Sequence, residues 1–221
     1  MPPAPLSLFT RHVVALVRHA AAAQSPGGGA LSPDGIQQCL QARSPAGWIG
    51  RLAQGHGLGA RPLIVSSSAS RCIETSERLF APSREALENR AHPLAPRVAP
   101  RDELRCDDDK WLQPGDAPPR QQLLGPPGRL CDDYAARAIE AIARAAADEP
   151  ASSSGRVLVV CGDAIALNAV CLRLATALDL SDADRDVALD TPLREADGFL
   201  VTPDGVAILS ELSDESEDLH V

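Results

Sequence analysis

The sequence predicts an α/β fold in which a mostly parallel central sheet is flanked by helices on both faces. Three short aliphatic runs, Val13–Val17, Leu63–Val65 and Val157–Val160, pass directly into polar residues, the pattern of strands buried on both sides. Each run is followed by a stretch of helical period, and strands alternating with helices make parallel sheets. With 221 residues, 44% of them apolar, the chain has the material for one substantial core. Aromatic residues make up only 3%, so Leu, Val, Ile and Ala must build it.

After the first run, a loop through Gly27-Gly28-Gly29 reaches Leu31-Ser32-Pro33-Asp34-Gly35. Ser32 is an N-cap and Pro33 a natural first helical residue, so a helix is expected from Pro33 to about Arg43, where Pro45 and Gly47 interrupt the period. The second run meets Ser66-Ser67-Ser68 and a helix over Ser70–Leu79. Residues 81–127, rich in proline and charge, have weak periodicity and are expected to form a loop-rich cap insertion within a single domain spanning 1–221. An amphipathic helix is expected over Leu130–Ala147, and a Ser-Gly linker then feeds the third run. Another helix follows over Ala164–Leu178. Phe199-Leu200-Val201, Pro203-Asp204-Gly205 and Val206–Leu209 carry a hairpin signal. The acidic stretch Glu211–Asp218 reads as solvated.

The net charge of −9 and the lack of a basic stripe argue against nucleic acid as a partner. Arginine carries nearly all the positive charge, Lys110 being the one lysine. Six scattered cysteines (Cys39, Cys72, Cys106, Cys131, Cys161 and Cys171) form no CxxC pair, which supports neither a metal site nor a disulfide framework. Reduced thiols and a cytoplasmic location are the expectation. Met1–Thr10 lacks the pattern of a signal peptide, and no apolar run is long enough to span a bilayer, so no membrane partner is expected. Oligomeric state is not readable.

In such sheets ligands sit beyond the carboxyl ends of the strands. Those ends carry Arg18-His19, the stretch Ser66–Arg71, and Cys161-Gly162-Asp163. In order along the chain stand Leu16-Val17-Arg18-His19-Ala20, then Leu31-Ser32-Pro33-Asp34-Gly35, then Val65-Ser66-Ser67-Ser68-Ala69-Ser70-Arg71-Cys72-Ile73-Glu74-Thr75. This series resembles the histidine phosphatase superfamily, which includes the phosphoglycerate mutases. That family shows a strand ending in Arg-His-Gly, a Leu-Thr-x-x-Gly segment and a Ser-Ser-x-x-x-Arg-x-x-x-Thr segment. The resemblance covers most of the chain, down to Leu212-Ser213-Asp214.

The resemblance implies a three-layer phosphoglycerate mutase-like fold and a role for each matching residue. His19 would be the nucleophile that accepts the phosphoryl group. Arg18 and Arg71 would bind phosphate oxygens by charge-assisted hydrogen bonds. Ser25, or Gln24, falls at another polar phosphate contact, the gapless offset favouring Ser25. Thr75 reads as packing or helix support. The implied ligand is a phosphorylated small molecule or phosphoprotein, with no cofactor and no metal.

Two departures matter more than the matches. The family's second histidine follows a later strand; here the segment reads Val160-Cys161-Gly162-Asp163-Ala164-Ile165. Cys161 falls at that position, or Gly162 if the alignment shifts, and neither is histidine. The family's catalytic acid is expected near Leu104-Arg105-Cys106-Asp107-Asp108, where Cys106 takes the place and Asp107 or Asp108 substitutes after a small shift. Losing one donor to a phosphoryl oxygen commonly costs roughly 3–4 kcal/mol in the transition state. A missing acid costs a further ~100-fold or more. Binding survives such losses more easily than turnover. The expectation is therefore a phosphate-binding pseudophosphatase or a strongly impaired phosphatase. The alternatives are an active phosphomonoester hydrolase using His19 and, third, a phosphoglycerate mutase. Cys161 as a nucleophile in its own right lacks the Cys-x5-Arg loop, since Leu167 stands six residues on.

Overall fold

The structure is a computed structural model, which describes residues 9, 12–23, 29–56, 62–81, 98–106, 117–126, 128–148 and 157–212. In chain order the described helices and strands are β1 (Val13–Arg18), α1 (Pro33–Ala42), α2 (Trp48–His56), β2 (Leu63–Ser67), α3 (Ser70–Phe80), β3 (Val98–Arg101), α4 (Pro119–Leu124), α5 (Gly128–Ala147), β4 (Val157–Gly162), α6 (Ala164–Ala177), α7 (Asp182–Asp190), β5 (Gly198–Thr202) and β6 (Gly205–Ile208).

The strands form one six-stranded sheet in the order β3-β2-β4-β1-β5-β6. β1 lies parallel to β4 in the register Val13↔Val157 through Arg18↔Gly162. β2 is parallel to both β4 and β3. The hairpin adds β5 antiparallel to β1, and β6 antiparallel to β5. Gly198 makes the close approach of β5 possible, because a Cβ there would lie 1.8 Å from the Leu16 carbonyl oxygen.

The two-residue period of the strands sorts their side chains into two core layers. Val14, Leu16, Leu158, Val160 and Phe199 face α5 and α6, packing with Ala138, Ile142, Val170 and Leu174. Ala15, Val17, Val157, Val159 and Leu200 face the other way, against Cys39, Trp48, Leu52 and Leu79 of α1, α2 and α3. Each fully buried Val or Leu contributes about 1.5–3 kcal/mol. The central strands β1 and β4 are therefore the most strongly held part of the sheet.

The expected strands and helices are present, with ends moved by at most two residues. Ser32 accepts a hydrogen bond from the Gly35 amide at the start of α1, as its N-cap position predicts. Four elements go beyond the sequence reading: α2, α7, and the edge strand β3 and helix α4, which lie inside the span expected to be a loop-rich cap. Among the described residues, no helix is long and apolar enough to cross a membrane.

Candidate active site

The parallel strands β1, β2 and β4 end side by side, and their loops supply the site. β1 delivers Arg18 and then His19, whose amide donates to the Gly162 carbonyl at 3.0 Å, tying it to the end of β4. β2 runs through the buried Ser66 and Ser67 into α3, which places Arg71 on its first turn. β4 ends at Gly162, and Asp163 is the N-cap residue of α6. Neither α3 nor α6 has a side-chain cap at its N-terminus, and neither carries an acidic residue in its first turn. Both helices thus present the positive end of their dipole and free amides near the strand ends, where an anion is favoured.

The three loops meet at one carboxylate oxygen. Arg71 donates from Nε at 3.2 Å and Nη2 at 2.6 Å to Asp163 Oδ1. His19 Nε2 stands 3.3 Å from the same oxygen. The other side of the His19 ring, Nδ1, is 2.8 Å from the Ala20 carbonyl oxygen. A carbonyl only accepts, so Nδ1 carries the proton and Nε2 is the nitrogen turned towards the site. Burial pushes the Asp163 carboxyl up, but hydrogen bonds from His19 and Arg71, together with their charge, outweigh it and hold it below the usual carboxylate range. An acid held that low donates protons poorly.

Thr75 ties the first loop to α3: its hydroxyl donates to the Arg71 carbonyl at 2.7 Å and accepts from the Ala20 amide at 3.0 Å. Glu74 reaches back to accept from the Leu31 amide at 2.8 Å. That bond is the leading cause of its lowered pKa. Arg18 is turned differently from Arg71. Its Nη1 donates to the Leu193 carbonyl at 2.6 Å, and its Nε is buried without a hydrogen-bond partner among the described residues.

Of the residues singled out in the sequence, the structure brings His19 and Arg71 together and sets Arg18 at the same strand end. Ser25 and Gln24, and likewise Asp107 and Asp108, lie outside the described residues. Cys106 is buried, and Cys161 is buried with its thiol against Cys72. The hydrogen bond with Cys161, and then burial, push the Cys72 thiol up. Burial, with the neighbouring Cys161, also raises Cys39, to about 11. Cys39 of α1, Cys72 of α3 and Cys161 of β4 are thus buried neighbours. Asp163, by contrast, stands in the sequence only as part of the Cys161-Gly162-Asp163 segment, yet it is the residue that faces His19. Among the described residues, no three His, Cys, Asp or Glu side chains gather to hold a metal ion.

No protein-family model matches the sequence. No curated protein sequence matches it either. Solved structures do. Mycobacterial glucosyl-3-phosphoglycerate phosphatase complexed with VO3 is 20% identical, with 89% of this chain and 96% of that chain covered and a TM-score of 0.51. The same phosphatase with inorganic phosphate is 19% identical, with 89% and 95% covered and a TM-score of 0.52. A mycobacterial hydrolase is 19% identical, with 89% and 88% covered and a TM-score of 0.53. The chain has the phosphoglycerate mutase-like fold. In this phosphoglycerate mutase-like fold the ends of β1, β2 and β4 bring His19, Arg71 and Asp163 to a single point, with Arg18 beside them.

Proposed function

We propose that the chain is a histidine-phosphatase-like protein that binds a phosphorylated small molecule or phosphoprotein and has lost, or nearly lost, the ability to hydrolyse it. One observation carries this reading: the group facing His19 Nε2 is the carboxylate of Asp163 at 3.3 Å. A phosphoryl group spreads negative charge over its oxygens and needs cationic donors around it. An ionised carboxylate there repels that charge. Arg18, His19 and Arg71 still supply an anion-binding set, and two uncapped helix N-termini add to it. The fold shared with a phosphatase solved with VO3 and with inorganic phosphate supports choosing those anions as probes. Ser25 as a further phosphate contact, and Cys161 at the position of a second histidine, belong to the same proposal.

A specific observation favours the alternative of a working phosphomonoester hydrolase. The Nδ1 bond to Ala20 aims His19 Nε2 into the site, the orientation that in-line attack on phosphorus requires. Such an enzyme would take its acid from Asp107 or Asp108. Hydrolysis of p-nitrophenyl phosphate by wild type and His19→Ala from pH 5 to 8 separates the two. The impaired reading expects wild-type turnover at or barely above the His19→Ala background. Wild-type turnover far above that background, lost in His19→Ala, overturns it and favours the hydrolase.

A further inference from the structure

Asp163 sits at the N-cap of a 14-residue helix, where an aspartate ordinarily accepts from the amides of its own first turn. Here it makes no such bond. Its Oδ1 instead accepts from Arg71 Nε and Nη2, with His19 Nε2 3.3 Å away. Two nitrogens of one guanidinium on an anionic oxygen, with an imidazole beside them, is the way a phosphoryl oxygen is gripped. The second oxygen, Oδ2, is buried with no hydrogen-bond partner among the described residues, and the residue is only 7% exposed. A buried carboxylate with an orphaned oxygen is costly for helix capping or packing alone. It is explained if the side chain occupies a seat made for another anion.

We propose that Asp163 is an internal ligand of the phosphate pocket: its carboxylate stands in for a phosphoryl group between Arg71 and His19, and an oxyanion binds only by displacing it. This inference rests on the phosphate-binding reading above. It adds that the site is occupied by its own side chain and is therefore self-inhibited. The displaced carboxylate has a second seat ready, the uncapped amides at the start of α6, which an N-cap aspartate favours. The same contact also obstructs the candidate nucleophile. A carboxylate oxygen 3.3 Å from His19 Nε2 occupies the approach that phosphorus would need.

Calorimetric titration of the full chain with inorganic phosphate at pH 7 tests this, comparing wild type, Asp163→Asn and Asp163→Ala. Both variants are expected to bind phosphate on the order of tenfold more tightly than wild type, or better. Arg71→Met added to Asp163→Asn should erase that gain. Wild type binding phosphate as tightly as the variants overturns self-occupancy and leaves the phosphate pocket standing. Failure of every form to bind phosphate overturns both. If neither variant folds, the wild type answers alone through the carbon-13 resonance of the Asp163 carboxyl. Saturating phosphate should shift it as the carboxylate leaves Arg71, and an unmoved resonance under saturation overturns the proposal.

Discussion

Breaking the Arg71–Asp163 pair from either side should cost more than removing it whole. Arg71 Nη2 lies 2.6 Å from Asp163 Oδ1, and the two side chains are only 16% and 10% exposed. Arg71→Met leaves a carboxylate in a nearly dry site with His19 as its remaining partner. Asp163→Asn leaves the guanidinium facing a neutral amide. Truncating one partner of a buried pair costs about 3–5 kcal/mol, and the slight exposure of this pair argues for the lower end, near ~3 kcal/mol for each single change. The double variant strands no buried charge, so its loss should fall short of the sum by about 2 kcal/mol. For a chain of this size ~3 kcal/mol corresponds to a fall of about 6–12 °C in melting temperature. Urea denaturation of the four proteins in phosphate-free buffer at pH 7 measures the cycle. Single losses that add to within roughly 0.5 kcal/mol would refute the reasoning, because independent sites behave that way.

Acid should dissolve the advantage of wild type over Asp163→Asn. The folded Asp163 carboxyl is held below its unfolded value, so its stabilisation is fully present above the ordinary aspartate pKa of about 3.9 and is lost as pH falls through the lower folded value. The groups facing it are His19, Arg71, Cys72 and Tyr134, and the two thermal unfolding curves should keep a constant gap from pH 8 to 5 and converge below about pH 4. A gap that widens on acidification contradicts this assignment. Thr75→Val keeps the shape of the side chain but strands the buried Ala20 amide, costing about 1–3 kcal/mol. Hydrogen exchange at Ala20 should accelerate, and unchanged protection there would mean that Thr75 does not hold the loop.

The elements most legible in the sequence are those whose stability is local or doubly buried. Val13–Val17 and Val157–Val160 read as strands because both their faces need apolar residues, and Ser32-Pro33 announces a helix by capping chemistry alone. What escaped depends on neighbours. Helix α2 is nine residues with two glycines, too short and too permissive for period alone to reveal. Helix α7, Asp-Ala-Asp-Arg-Asp-Val-Ala-Leu-Asp, is mostly charged, and burial of Ala188 and Leu189 supplies its apolar support. Its one local signal was present in the sequence: Ser181 and Asp184 form a capping box. Strand β3 contains Pro100, which argues against a central strand but is tolerated where β3 lies, at the edge of the sheet.

The site divides along the same line. Arg18, His19 and Arg71 are legible because each follows a recognisable strand and the three appear in a known order. The significance of Asp163 is not, and the reason is physical. An aspartate between a strand and a helix has an ordinary local occupation as an N-cap, and nothing in the neighbouring residues distinguishes one that caps from one that does not. The choice is made by Arg71 and His19, delivered from α3 and the end of β1, whose combined attraction at short range in a buried setting exceeds that of the first-turn amides. The balance between those two seats is therefore set by whatever else competes for Arg71 and His19. On the proposed phosphate-binding reading, a dianionic phosphate is the stronger competitor, because it offers more charge and more acceptor oxygens than one carboxylate. On that same reading, the residue that most weakens phosphate chemistry is also the one that pairs with Arg71 and faces His19.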